Sequence, residues 1–148
     1  MGLTPASMRM ALEMSALKRP AEEADADSYE DQDGTWFRAA PVSAFPEGGG
    51  ACVRVGHLQI AVFNFRRRGE WYACQNMCPH RREMVLSRGM LGSSKGKPKI
   101  ACPFHKATFS LEDGTCLNSD LHAISTYPVR IEDDHVFIRL SADDLEGP

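Results

Sequence analysis

The chain has 148 residues, a formal net charge of −3 and a hydrophobic fraction of 43%, which suits one folded domain with a tail. No apolar run reaches the roughly 20 residues that span a bilayer, so no membrane segment is predicted. Basic residues scattered through the first 20 positions leave no apolar core for a secretory signal, and Ala6 stands where a myristoylation motif requires Ser or Thr. We therefore expect a cytoplasmic protein.

The first 33 residues are predicted to be an appendage, helical at first and then acidic. Residues 6–18 are good helix formers with apolar side chains at helical spacing, and Pro20 ends this helix. Seven acidic residues and no basic ones follow between Glu22 and Asp33, a composition that buries too little apolar surface to stay ordered alone. We expect a flexible extension over residues 1–33, a folded domain over 34–141 and a tail over 142–148.

From Thr35 onward, short apolar strands separated by turns predict an all-β domain. The first strands cover residues 36–40, 51–55, 58–65 and 70–75, and a tight turn at Gly56-His57 makes a hairpin of the second and third. No basic cluster is interleaved with aromatic residues as in nucleic-acid-binding proteins. The chain is therefore not expected to bind nucleic acid.

Two pairs of residues with metal-ligand side chains follow these strands. Cys78-Pro79-His80 has C-x-H spacing, and Cys102-Pro103-Phe104-His105, after 21 intervening residues, has C-x2-H spacing. A short strand over 99–101 leads into the second pair, while residues 89–99, rich in Gly, Ser and Lys, are predicted to be an exposed loop. Both pairs are thus expected in loops at strand ends.

The rest of the chain continues the β pattern. Residues 109–111 and 115–117 flank Asp113-Gly114, a strong hairpin signal, and residues 127–131 and 135–140 flank the turn Asp133-Asp134. The predicted fold is therefore all-β, with short antiparallel strands in a sandwich or barrel-like arrangement. The two ligand loops form a subdomain on this scaffold.

The four candidate ligands are Cys78, His80, Cys102 and His105. Two thiolates and two imidazoles are the set of a Rieske [2Fe-2S] centre, which has two cysteines on one iron and two histidines on the other. The spacing within each pair lets one loop supply a ligand to each iron. Zinc is the alternative, but its ligand pairs usually read C-x2–4-C and H-x3–5-H, which mixed pairs fit poorly.

Three further cysteines remain. An odd number without a secretion signal indicates reduced thiols. Cys52 and Cys74 lie in strand-like runs and are predicted to be small buried hydrophobic residues. Cys74, four residues before Cys78, is a less favoured spare ligand.

The ligand motif resembles the Rieske family, and its surroundings resemble the small subunit of assimilatory NAD(P)H-dependent nitrite reductases. They are equally similar to the matching C-terminal domain of fused fungal-type enzymes. The similarity covers about residues 35–140 and includes the segments ACPFHKATFSLEDG and YPVR. It implies that Cys78 and Cys102 bind the inner iron and that His80 and His105 bind the iron nearer solvent. It also implies a large partner subunit with flavin and sirohaem that reduces nitrite to ammonium during nitrate assimilation.

High-potential members of the Rieske family carry an extra cysteine in each cluster loop and a Ser shortly after the second histidine. Here Glu83 and Phe104 occupy the cysteine positions, and Lys106-Ala107 replaces Gly-Ser. The resemblance therefore implies a low reduction potential, because fewer hydrogen bonds reach the sulfur atoms.

The predicted function is electron transfer within an oxidoreductase, with no complete active site on this chain. Arg81, Arg82 and Lys106 adjoin the ligand histidines, so the tip of the predicted cluster-binding loops is expected to be basic. This basic tip is either a docking surface for an acidic partner or an ordinary solvated surface. Two alternatives stay open. One is a free Rieske ferredoxin that supplies a ring-hydroxylating oxygenase, and the other is a zinc-bound or cluster-free structural module.

Overall fold

The computed structural model describes residues 21–23, 28–32, 34–65, 68–80, 82–104 and 106–146. The helix predicted over residues 6–18 lies outside them. Within the described part of the chain the regular structure is mostly strand, and no helix is long and apolar enough to cross a membrane. The strands are β1 Ala21–Glu23, β2 Ser28–Asp31, β3 Gly34–Pro41, β4 Gly49–Val55, β5 Leu58–Phe65, β6 Glu70–Gln75, β7 Met77–Cys78, β8 Glu83–Met84, β9 Met90–Ser94, β10 Lys97–Ala101, β11 Thr108–Ser110, β12 Thr126–Tyr127, β13 Val129–Glu132 and β14 His135–Leu140.

Three-residue 3-10 turns at Val42–Ala44 and Leu86–Arg88 and a short helix, α1 Ala142–Glu146, complete the described elements. The strands form a five-stranded sheet (β1-β4-β5-β6-β12), a four-stranded sheet (β13-β14-β3-β2), a three-stranded sheet (β11-β10-β9) and the hairpin β7–β8. Almost all of the pairs are antiparallel, with β1 and β4 the parallel exception among the described strands. The predicted all-β fold is confirmed.

The five-stranded sheet is the middle layer because β5 is buried on both of its faces. Ile60 and Val62 point to one core, which the five-stranded sheet shares with β3 and β14 of the four-stranded sheet. Ala61 and Phe63 point to the other core, which lies against the hairpins β7–β8 and β10–β11 that carry the predicted ligand loops. A strand covered on both faces is expected to be a continuous apolar run, as residues 60–63 are. The middle sheet therefore supports the ligand loops with its second face.

Several predicted elements are found at their predicted residues. The strands β5 and β6 begin and end where the sequence placed them, and Gly56, with φ +64°, makes the turn between β4 and β5. Asp133 and Asp134, both with positive φ, connect β13 to β14. The loop predicted over residues 89–99 is wrong, since β9 and β10 pair there over five residues. Lys95 and Gly96, with φ +53° and +82°, make the tight turn between them.

The predicted start of the folded domain at residue 34 is wrong for residues 28–31, which form β2 and pair with β3. The physical reason is that their acidic and aromatic groups find partners. The ring of Tyr29 lies 5.5 Å from that of Phe137. Asp31 accepts hydrogen bonds from the Trp36 indole at 3.1 Å and from Arg130 at 3.0 Å. Further upstream, β1 pairs with β4.

Arg130 connects β2 to the rest of the four-stranded sheet. Its guanidinium group lies 4.0 Å from the centre of the Trp36 ring and also donates a 2.9 Å hydrogen bond to the Tyr29 hydroxyl. The charge on Asp31 is thereby compensated and the buried indole is covered. Arg130 thus compensates one of the acidic groups of β2 and binds the Tyr29 hydroxyl of the same strand.

The contribution of β2 can be measured by comparing a chain that begins at Ser28 with one that begins at Gly34. Without β2, four residue pairs with β3 are lost and Trp36 is uncovered. We expect the shorter chain to unfold at a temperature lower by roughly 5 °C, with indole emission shifted to longer wavelength. Equal unfolding temperatures for the two chains would show that β2 is not part of the folded domain.

Candidate metal centre

The cysteine of each predicted ligand pair lies where a strand leads into a hairpin loop. The first ligand loop, residues 79–82, connects β7 to β8, and Cys78 pairs with Glu83 across it. The second ligand loop, residues 103–106, connects β10 to β11, whose last pair before the loop is Ala101 with Thr108. Short hairpins on a buried sheet give each loop a fixed base. The expectation that both pairs lie in loops at strand ends is met for the described residues.

The two ligand loops share one backbone design. Arg82 N donates a 2.8 Å hydrogen bond to Cys78 O, and Lys106 N donates a 3.0 Å hydrogen bond to Cys102 O. Each loop is therefore closed by a bond from the fourth residue after its cysteine. Arg82 and Lys106 both adopt left-handed backbone, with φ +61° and +59°. Non-glycine residues rarely adopt this conformation, so its occurrence at equivalent places indicates a shape that the fold imposes twice.

The two cysteine thiols meet in the interior between the loops. Cys78 and Cys102 are 1% and 2% exposed, and both belong to the same buried core cluster. Burial raises the pKa of the Cys78 thiol to about 11, an effect that the backbone N–H of His80 opposes and the neighbouring Cys102 thiol reinforces. Two adjacent buried sulfur atoms need a cation to be stable as thiolates, and this is the environment of a thiolate metal site.

The imidazole side of the predicted site is less buried. His80 is exposed, and Phe104, in the second ligand loop, is 61% exposed. His105 lies outside the described residues. Within the part of the chain that the structure describes, no three His, Cys, Asp or Glu side chains are close enough together to bind a metal ion. Of the three predicted ligands that it describes, the structure brings Cys78 and Cys102 together.

A third loop, residues 112–125, packs beside the second ligand loop, and the sequence predicted it only in part. Asp113 Oδ1 accepts a 2.9 Å hydrogen bond from Thr115 N in the predicted turn. The predicted strand over 115–117 is wrong, because only a single bridge, Phe109 with Cys116, forms there. Beyond this bridge, a side chain replaces the backbone as the hydrogen-bond partner of β11. The Oδ1 of Asn118 accepts a 3.1 Å hydrogen bond from Thr108 N.

Asn118 was not among the predicted site residues. Its Nδ2 donates a 2.9 Å hydrogen bond to Lys106 O, and Leu117 N donates a 2.7 Å bond to Thr108 O. These bonds fasten the third loop to the end of the second ligand loop. No sequence signal distinguishes this asparagine from an ordinary turn residue, because the backbone groups that it binds, on Lys106 and Thr108, lie 12 and 10 residues away.

The other cysteines are accounted for without a ligand role. Cys52 and Cys74 are 5% and 0% exposed, as predicted for buried hydrophobic residues, and burial raises the pKa of both thiols. Cys116 packs beside the core that contains the ligand cysteines. Burial opposes ionisation of Cys116, but hydrogen bonds from the Ser119 hydroxyl and from backbone N–H groups of residues 118, 119 and 121 lower its pKa overall.

A family model of the Rieske-like [2Fe-2S] domain matches residues 35–139 of the chain. The chain belongs to this family. The predicted family and the predicted [2Fe-2S] cofactor are thereby confirmed, and zinc is disfavoured. The donors described above fit such a cofactor, since two adjacent buried thiols lie at the base of the loops and an imidazole-bearing residue lies at the surface.

The Rieske-like domain is similar to parts or wholes of two kinds of protein. It is 39% identical over 95 residues to a nitrite reductase [NAD(P)H] of Emericella nidulans, covering 61% of this chain and 8% of that one. It is 35% identical to the ferredoxin component of naphthalene 1,2-dioxygenase/salicylate 5-hydroxylase systems of a Ralstonia species, covering 71% and 95%. A solved Mycobacterium tuberculosis structure, titled an NADH-dependent nitrite reductase small subunit, matches with TM-score 0.67 and 28% identity, covering 72% and 96%.

The chain spans between 8% and 14% of the length of the first three curated relatives that it matches. These relatives are therefore much larger proteins that contain a region similar to this Rieske-like domain. The similarity therefore does not assign the complete activities of these relatives to this chain.

The third loop depends on Gly114, and this can be tested with a matched pair of variants. Gly114 has φ +83°, and a Cβ there would lie 2.0 Å from Ile124 O. Gly56 also has positive φ, at +64°, but nothing lies within 4 Å of its Cβ position. We expect Gly56→Ala to cost about 1–2 kcal/mol of stability from backbone strain, and Gly114→Ala about 3–4 kcal/mol because backbone must also move.

Urea unfolding of both variants measures the difference. Similar losses for Gly56→Ala and Gly114→Ala would mean that the contact between residues 114 and 124 does not constrain the third loop.

Proposed function

We propose that this chain is the Rieske-type electron-transfer subunit of an assimilatory NAD(P)H-dependent nitrite reductase. Cys78 and Cys102 hold the inner iron of the [2Fe-2S] cluster, and His80 and His105 hold the iron nearer solvent. The large partner subunit carries the flavin and sirohaem sites at which nitrite is reduced to ammonium. The proposal covers residues 34–141 as the electron-transfer domain, with β2 added to it.

The observation that carries this proposal is the agreement of two comparisons on nitrite reductases. A region of a large nitrite reductase and a separate small subunit are similar to overlapping stretches of this chain, since they cover 61% and 72% of it. The small subunit is matched over 96% of its length. A module found both fused and separate is expected of an electron carrier that works beside a larger catalytic protein. The similarity to a dioxygenase ferredoxin component favours a second candidate, a free ferredoxin for a ring-hydroxylating oxygenase.

The buried cysteine side and the exposed histidine side of such a site have different roles. When bound, the cluster supplies transfer of one electron at a time. Leu86, Ile100 and Phe109, all fully buried, pack in the core with Cys78 and Cys102 and exclude water from the sulfur side. His80 lies at the surface and provides the side through which a partner approaches. Burial on one side and exposure on the other confine electron exchange with a partner to the exposed side.

The proposed partner face combines basic and apolar groups. Arg82 and Lys106 are exposed at the ends of the two ligand loops. The exposed apolar side chains of Met84 and Phe104 lie in β8 and in the second ligand loop. Apolar contacts with a basic rim suit an acidic docking surface, because the charges guide association and the apolar groups supply buried area.

The proposed ligand set predicts the iron content of variants. The anaerobically purified chain should be brown and hold about two irons per chain. Cys78→Ser and His105→Ala should each abolish the cluster. Cys116→Ser is the matched control, because Cys116 packs against the same core but is not a proposed ligand. Iron and sulfide analysis with visible absorption measures all four proteins.

Two results would count against this ligand set. A colourless wild-type chain with one zinc would contradict the cluster assignment, and full iron content in Cys78→Ser would remove Cys78 from the set. Loss of iron in Cys116→Ser as complete as in Cys78→Ser would show that the assay reports stability of the subdomain rather than ligation.

The proposed partner can be tested by reconstitution. Alone, the chain should not reduce nitrite. With the sirohaem-containing large subunit it should form a complex with NAD(P)H-dependent activity. Lys106→Glu should weaken that complex roughly fivefold at low ionic strength and less at 0.15 M salt, where charges separated by more than about 8 Å are screened.

Lys95→Glu is the matched control for Lys106→Glu. Both lysines are exposed and have positive φ, but Lys95 lies in the β9–β10 turn. Equal weakening by the two variants would mean that overall charge, rather than a docking face at the ligand loops, controls binding. Electron transfer to an oxygenase, without binding to the sirohaem subunit, would favour the ferredoxin function.

A further inference from the structure

Asn76 lies between β6 and β7, at the point where the chain leaves the five-stranded sheet and enters the first ligand hairpin. It is only 2% exposed. Buried polar side chains are costly unless they are fully hydrogen-bonded, and a buried asparagine with every group paired is a strong constraint on its surroundings. Asn76 is such a residue, with partners both in the ligand hairpin and in the sheet.

On the hairpin side, Asn76 joins the entry of the hairpin to its exit. Leu86 N donates a 3.0 Å hydrogen bond to Asn76 O, and Ser87 N donates a 2.7 Å bond to the side-chain Oδ1 of Asn76. Residues 77–85, which include β7, the first ligand loop and β8, are therefore closed at their base by one residue. Cys78 and His80 lie inside this closed segment.

On the sheet side, Asn76 is bonded to β4 and β5. Its backbone N–H donates to Gln59 O at 3.1 Å, and its side-chain Nδ2 donates to Gln59 Oε1 at 3.2 Å and to Cys52 Sγ at 3.5 Å. The thiol of Cys52 in turn donates to Gln59 Oε1 at 3.6 Å. These three side chains form a small polar network, so a movement of the hairpin relative to the sheet would break several hydrogen bonds together.

We propose that Asn76 is a positioning residue for the iron–sulfur centre, which fixes Cys78 and His80 by locking the first ligand hairpin to the five-stranded sheet. The inference rests on the proposed ligand set. Asn76 touches no ligand side chain in the described contacts, and it acts through the backbone at the two ends of the hairpin. Groups hydrogen-bonded directly to metal ligands typically change metal affinity by 10- to 100-fold when they are removed, and we expect a residue that acts through the backbone to lie at the lower end of that range.

The two halves of the Asn76 amide can be tested separately. Asn76→Ala removes all of its side-chain bonds, whereas Asn76→Asp keeps an oxygen for Ser87 N but cannot make both donations to Gln59 and Cys52. Gln59→Met removes the side-chain acceptor on the sheet side, while it keeps the backbone acceptor and the length of the side chain. Ile138→Val is the control, because it deletes one methylene group from the other core, away from the Asn76 contacts.

The experiment follows iron loss from the anaerobically prepared holoprotein in the presence of a chelator, together with the visible circular dichroism and EPR spectra and the hydrogen exchange of the Ser87 amide. We expect Asn76→Ala to lose iron roughly tenfold faster than wild type, with altered spectra and rapid exchange of the Ser87 amide. Asn76→Asp and Gln59→Met should show smaller changes in the same direction. Ile138→Val should lower the unfolding temperature and leave the rate of iron loss and the spectra unchanged.

The inference is overturned if Asn76→Asp and Gln59→Met lose iron at the wild-type rate with wild-type spectra, or if Ile138→Val loses iron as fast as the Asn76 variants at a similar unfolding temperature. If Asn76→Ala does not accumulate as folded protein, the other two variants decide by the same criterion. A wild-type chain without iron would overturn the proposed ligand set and this inference together. A wild-type chain with two irons and unchanged variants would overturn only the role of Asn76.

Discussion

Contact between two buried thiols is the constraint on which the rest of this structure depends. Cys78 and Cys102 come from separate hairpins, yet they are buried together inside one core. A hairpin alone in water is marginally stable and cannot hold its tip to the accuracy that a shared metal needs. Both hairpins are therefore packed against one face of the middle sheet, and the two-sided burial of β5 is the consequence.

The two ligand loops share a backbone arrangement, although their sequences differ. Both close with a bond from the fourth residue after the cysteine and place that residue in left-handed conformation. His80 is the second residue after its cysteine, whereas His105 is the third. One turn geometry thus accommodates two ligand spacings. The strained positions carry Arg82 and Lys106 instead of glycine, so the backbone strain is retained together with two positive charges at the surface.

The elements that could be predicted from the sequence are those whose signals lie within a few adjacent residues. The strands β5 and β6 and the turns at Gly56 and at Asp133-Asp134 depend on patterns of a few adjacent residues, and these predictions agree with the structure. The strand β2 was missed because several of its side-chain partners, Arg130 and Phe137 among them, lie about 100 residues away in the sequence. The strand β9 was missed because glycine and serine disfavour strands, but its pairing with β10 outweighs that preference.

The residues of the candidate site also fall into two groups, those that local sequence patterns predict and those that they do not. The ligand types and spacings are local features, so Cys78, His80, Cys102 and His105 could be chosen from the sequence. Asn76 and Asn118 could not, since an asparagine near a turn has many ordinary explanations and their partners, Gln59 and Ser87 for one and Lys106 and Thr108 for the other, are set by tertiary structure. Each asparagine holds one ligand loop from outside, Asn76 at the base of the first and Asn118 at the end of the second. The proposed ligands indicate which metal group the chain can bind, and the two asparagines, which are not among them, fasten the hairpin segments beside those ligands.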